Sequence, residues 1–217
     1  MGTISVRKLG GLSLIVGSVL AVVCFLIRPG GGLVGGTVDP ANAGATIGAL
    51  MANSDLAGIS YLLGAVGLII LLYGVNALVG TLKGGNGEAL ARYGSLLLLL
   101  ATVGWVTSSA LSLAIAGGSA GAAAGAVYVV SLSINITAGL LGALAFLGIS
   151  LGISTRDDSN KVFALIVAAV SAVLVVFAVM SGRDLSLLQM AGLVAGIGYI
   201  ITVAWSVTLG LGLLKQE

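Results

Sequence analysis

The chain has 217 residues, of which 59% are hydrophobic and only 7% charged, with a mean hydropathy of +1.22. A soluble domain carries roughly 25% charged residues, and a water-soluble fold of this size cannot hide so much apolar surface, so the solvent that fits is a bilayer. The net charge of +2 is spread over loops, which leaves no basic patch for nucleic acid.

Two further absences narrow the chemistry. The sequence has no histidine, which removes bis-histidine haem, histidine-ligated copper or zinc, and a histidine general base. Cys24 is the single cysteine, so no disulfide forms within the chain.

Taken in order, residues 1–8 form a short head with Arg7 and Lys8. An apolar run follows, read as a first spanning helix over residues 9–28. A signal peptide is the rival, because a basic head precedes an apolar core. The run is longer than a usual signal core, and the small-x-small triplet Ala41-Asn42-Ala43 lies too far away to be its cleavage site. The span is therefore expected to be retained. Arg28 and Pro29 end it, and residues 29–55 form the one long loop. Within that loop Asp39-Pro40 reads as an N-cap with proline at the first helical position, opening a short surface helix over residues 40–52.

Asn53, Ser54 and Asp55 supply cap residues for a second span over residues 56–82, which carries Ser60, Tyr61, Tyr73 and Asn76. Glu88 and Arg92 have the i,i+4 spacing of a surface helix pair, which predicts that helix begins before the next span. From Tyr93 to Thr155 there is no Lys, Arg, Asp or Glu, a stretch about three times what one crossing needs. Its one break is Gly117-Gly118-Ser119-Ala120-Gly121, so it reads as a hairpin of two spans over residues 92–116 and 122–152. Ser159 or Asn160 would cap a fifth span over residues 161–181. A turn containing Gly182, Arg183 and Asp184 leads to a sixth over residues 187–214.

The expectation is a single all-α domain over residues 1–217, a polytopic bundle of six transmembrane helices with short loops. With the N-terminus inside, the inner segments carry Arg7, Lys8, Lys83, Arg92, Arg156, Lys161 and Lys215. The outer segments carry only Arg28 and Arg183. The positive-inside rule then places both termini in the cytoplasm, in a multi-pass protein of the cell membrane.

Several positions stand out from the apolar background. Asn76 and Asn135 are the strongest hydrogen-bonding side chains inside the spans, and each must find a partner in lipid. A packing bond between helices is the first expectation for them, and a polar site the second. Ser108 and Ser112 can bond their own helix backbone. Trp105 and Trp205 sit deep in their spans, where they pack on each other, on lipid, or on a bound pigment or quinone. Tyr61, Tyr93, Tyr128 and Tyr199 fall near helix ends, as in an interfacial belt. Arg28 is expected to meet lipid phosphate, or else Asp39, Asp55 or Asp184.

Glycines spaced by four, at 117, 121 and 125, at 148 and 152, and at 192 and 196, mark candidate close helix approaches. Thr102-Val103-Gly104-Trp105 resembles Thr202-Val203-Ala204-Trp205, a four-residue hint of an inverted repeat.

No ionisable residue falls inside a predicted span, which argues against a proton pump, an ion-coupled symporter and a voltage sensor. No Walker motif and no nucleophile–base pair is present, so an enzyme is not expected. No motif is specific enough to name a family. The first expectation is a non-catalytic structural or accessory subunit of a larger membrane complex, contacting lipid and other membrane subunits or a second copy. The alternative is a small transporter or channel for a neutral or apolar solute, with a midplane cavity near Asn76, Asn135, Ser108 and Ser112.

Overall fold

A computed structural model describes residues 4–30, 38–156 and 161–215. The described residues form seven α-helices and no strand. They are α1 (Val6–Ile27), α2 (Ala43–Ala52), α3 (Ser54–Gly80), α4 (Glu88–Ala116), α5 (Ala124–Ser154), α6 (Lys161–Arg183) and α7 (Leu188–Lys215). Single 3-10 turns, Gly121–Ala123 and Leu185–Leu187, lead into α5 and α7. All but α2 are long and apolar enough to cross a bilayer. Even the shortest of the six, α1 with 22 residues, is about 33 Å long against a hydrocarbon core of about 30 Å.

Sequence chemistry sets the ends. Ser5 caps α1 by accepting from the Lys8 amide at 3.1 Å, so this helix starts three residues earlier than its apolar run. Glu88 opens α4, as its pairing with Arg92 predicts, and the two side chains meet at 2.7 Å. Its other oxygen accepts from the Gly84 amide at 2.6 Å and ties down the preceding turn. Asp39-Pro40 does not open α2. The Asp39 carboxylate instead accepts from Ala41 in a tight turn, and Asn42 caps the helix by accepting from Ala45. Asn53 stands at the N-cap of α3, but its side chain bonds back to the Ala49 carbonyl rather than capping. The expected cap at Ser159 or Asn160 lies outside the described residues. Among the described residues every charged side chain sits in a loop or in the end turns of a helix.

The six long helices form a closed up-and-down ring in the order α1–α3–α4–α5–α6–α7, with α7 returning to α1. Lipid tails are as apolar as leucine, so burial here is decided by size rather than polarity. The outward faces carry Leu62, Leu96, Val103, Val162 and Ile197, all more than half exposed. The contacts between helices are built on glycine, alanine and serine. Where α1 crosses α3, a Cβ on Gly67 would lie 2.7 Å from the Ala21 amide nitrogen and 3.1 Å from the Gly17 carbonyl. Only a residue without a side chain permits that approach. Gly87, at φ 82° and pressed on Gly152, does the same for α4 and α5.

Of the glycine sets spaced by four, Gly148 and Gly152 make such a contact. Gly121, Gly125 and Gly192 have open space where a Cβ would stand.

Gly11 near the start of α1 packs on Gly210 near the end of α7, so those two segments share one end of the bundle. That half is solid. Leu14, Val75, Leu78, Leu98, Ile149, Val167, Trp205 and Leu213 fill it. The opposite end carries α2, whose Leu50 packs with Ala57, Ile115 and Tyr128 as a smaller cluster.

Candidate functional site

The half of the bundle away from the chain ends is hollow. A cavity of about 290 Å³ lies inside the ring and takes lining residues from all six long helices. This is near the lower end of small-molecule sites, roughly 300–1,000 Å³. Its floor is Leu71, Phe146 and Ser206, where the packed core begins. Its roof is the turn at Pro40 together with Thr46 of α2. The Tyr128 hydroxyl donates to the Pro40 carbonyl at 2.6 Å and fastens that roof to α5.

Three aromatic side chains from three helices form one wall. Phe25 of α1 meets Tyr199 of α7 edge-on with ring centroids 5.3 Å apart, and Trp105 of α4 meets the same tyrosine at 6.4 Å. Such edge-to-face pairs contribute about 0.5–1.5 kcal/mol beyond their buried area. Tyr199 therefore stands inside the bundle near the middle of α7, and not in an interfacial belt. Tyr128 is likewise buried, whereas Tyr93 is 62% exposed near the start of its helix.

The same cavity is lined by a polar strip on α4 and α5. Ser108 and Ser131 donate across the helix interface to each other's carbonyl, both at 3.0 Å, and Ser112 lies 3.3 Å from the Ser131 hydroxyl. These serines bond between helices and not within their own, contrary to the sequence expectation. One further turn along α5, Asn135 lines the cavity with no hydrogen-bond partner among the described residues.

The residues marked in the sequence thus divide. Asn135, Ser108, Ser112 and Trp105 converge on the cavity. Asn76 does not. Its carbonyl accepts from Ser95 at 2.7 Å and its amide donates to Leu72, which makes it a packing bond between α3 and α4. Trp205 is 2% exposed within the solid core. No ring pair joins it to Trp105 among the described residues. The two tryptophans lie just past the midpoints of helices that run in opposite directions, one on the hollow half and one in the packed half. Thr102 and Ser171 are buried with no hydrogen-bond partner among the described residues, and neither lines the cavity.

Phe25 and Arg28 are among the lining residues not assigned to a site from sequence. Phe25 is one more apolar residue in an apolar helix. Arg28 looks like an interfacial anchor, yet it is half-buried at the cavity mouth with its guanidinium 4.3 Å over the Phe25 ring. A legible signal existed on α5, where Tyr128, Ser131, Asn135 and Gly139 recur at helical spacing and mark one face as unlike lipid.

Among the described residues no group of acidic, cysteine and histidine side chains is arranged to hold a metal ion. Comparison of the chain with protein-family models, with curated proteins and with solved structures finds no match.

Proposed function

We propose that this protein is a small membrane carrier or transporter for a small, largely apolar molecule, and that the cavity is its binding site. One observation supports this over the accessory-subunit reading: the centre of the ring is hollow and lined by aromatic rings and a short polar strip. A bundle that served only as a scaffold would gain by filling that space, because an unfilled void forfeits dispersion contacts. Nothing specific favours the subunit reading, since outward apolar faces belong to any bilayer-spanning bundle. The count of basic residues supports an orientation with both chain ends in the cytoplasm and the hollow half toward the outside. The cavity then faces the outer leaflet, with the cytoplasmic half shut.

The test uses Gly139, which lines the cavity and has nothing within 4 Å of where a Cβ would stand. Gly139→Leu should fill the site without disturbing the fold. Native mass spectrometry from mild detergent is expected to show small-molecule adducts on the wild type that are lost in this variant. Identical spectra, or a stoichiometric protein partner and no adduct, would return the chain to the subunit class.

A further inference from the structure

We propose that the ligand of this cavity is a single-tailed amphiphile with one anionic head. The head sits against Arg28, and the tail runs inward along Phe25, Tyr199 and Trp105. The inference rests on the reading of the cavity as a ligand site and adds the class of ligand.

Arg28 is the starting point. It is the one charged side chain that lines the cavity among the described residues, and no carboxylate lines it. It makes no ion pair among the described residues, where Glu88 with Arg92 is the one salt bridge. Asp39, the nearest acid in sequence, turns its carboxylate to the Ala41 amide. A half-buried guanidinium loses hydration that only an opposite charge with good geometry restores. The contact over Phe25 and the negative end of α1 offset part of that loss. Neither supplies the paired acceptors that a guanidinium fork fits best, which a carboxylate or phosphate provides.

The order of groups below Arg28 defines the rest of the ligand. Phe25 lies one helical turn deeper, Tyr199 is 5.3 Å from it, and Trp105 is 6.4 Å beyond. The floor is apolar at Leu71 and Phe146, and the Ser206 hydroxyl beside them is taken up by the Thr202 carbonyl of its own helix. A wholly neutral solute leaves Arg28 unpaired. A cation is repelled at the mouth. A polyanion meets one cation and, among the described residues, no second. The cavity's 290 Å³ holds on the order of ten water-sized groups, which suits one short chain better than a two-chain phospholipid.

Quenching of Trp105 fluorescence tests this, in a Trp205→Phe background that leaves Trp105 as the sole indole. The protein is placed in phosphatidylcholine nanodiscs and titrated with ω-bromodecanoate, ω-bromodecyl phosphate and ω-bromodecanol. Quenching seen in Gly139→Leu is subtracted as bilayer partitioning. Native mass spectrometry of the wild type with the same three probes gives the ranking independently, should the Trp205→Phe protein not fold.

Both anions are expected to bind about tenfold more tightly than the alcohol, as one charge-assisted pairing gives. Arg28→Gln should erase the difference while alcohol binding persists, and Arg28→Lys, which keeps the charge and loses the fork, should keep only part of it. Equal affinity of acid and alcohol overturns the anionic assignment and leaves the cavity as a ligand site. No cavity-dependent binding of any probe overturns both. A further arm adds phosphatidylglycerol to the nanodiscs. Unchanged anion affinity supports a single-tailed ligand, whereas competition places a bilayer headgroup on Arg28 and overturns the inference.

Discussion

Ser108 on α4 and Ser131 on α5 each donate a hydrogen bond to the other's backbone carbonyl, at the same distance of 3.0 Å. The exchange closes the α4–α5 interface beside the cavity with hydroxyls that would otherwise bond their own helices. Each acceptor is backbone, so it survives mutation of the partner serine. Ser108→Ala and Ser131→Ala are therefore expected to lower stability by about 0.6–1.7 kcal/mol each. Their effects should add in the double variant. Unfolding of the purified protein in a mixed-micelle titration measures both. Strong coupling between the two substitutions would mean that the direct contact between the two hydroxyls, 2.9 Å apart, dominates instead.

A second prediction contrasts two glycines in the same type of helix. Gly67 has a backbone nitrogen 2.7 Å from where a Cβ would stand. Gly67→Ala should force α1 and α3 apart and destabilise by about 1–3 kcal/mol. Gly139 faces open space in the cavity, so Gly139→Ala should be neutral or stabilise by up to about 1 kcal/mol through helix propensity. Thermal unfolding in one detergent ranks them, and the same sign for both would contradict the packing described above.

Access to the cavity can be read from Cys24, the only cysteine, which is buried and lines the cavity. The Tyr128 hydroxyl holds the Pro40 turn at 2.6 Å over the same space. Tyr128→Phe removes that bond and keeps the ring. A small neutral thiol reagent should then label Cys24 roughly three- to tenfold faster, the range one net hydrogen bond implies. An unchanged rate would show that the roof is held by the apolar cluster around Leu50 and not by this bond.

A pH effect is expected between the last two spans. The Asp184 carboxylate accepts from the Ser186 amide at 3.0 Å and from its hydroxyl at 2.7 Å. These two bonds hold its pKa below the ordinary 3.8. A carboxylate depressed in this way contributes stability above its unfolded pKa and loses it as pH falls through the lower folded value. Asp184 is fully exposed, so the effect is confined to the turn Leu185–Leu187. Carboxyl-carbon NMR should show a low-pH titration that moves back up in Ser186→Ala. No movement would assign the shift to the Ser186 amide and not to its hydroxyl.

The sequence carried the outline because helices long and apolar enough to cross a bilayer follow two strong rules. Backbone groups must pair within a helix, and charges must stay near the ends. Those rules locate six long apolar helices and the glycine-rich hairpin between α4 and α5. Details fixed by side-chain bonds were less legible. The α1 start depends on the Ser5 cap, and the α2 start depends on the choice of Asn42 over Asp39. Both are decided by which polar side chain reaches a free amide, and nearby candidates look alike in one dimension.

What the amino-acid sequence determined by itself is the solvent-facing chemistry: apolar helices of spanning length and charges only at their ends. What the tertiary structure alone decided is which faces meet and what they leave empty. Asn76 and Asn135 are the same residue in similar settings along the chain, yet one bonds Ser95 across a tight interface and the other faces the cavity. In water a polar stripe marks the outside of a helix. Here both faces are apolar, so inside and outside are separated by side-chain size and by the order of helices around the ring, which only the assembled bundle fixes.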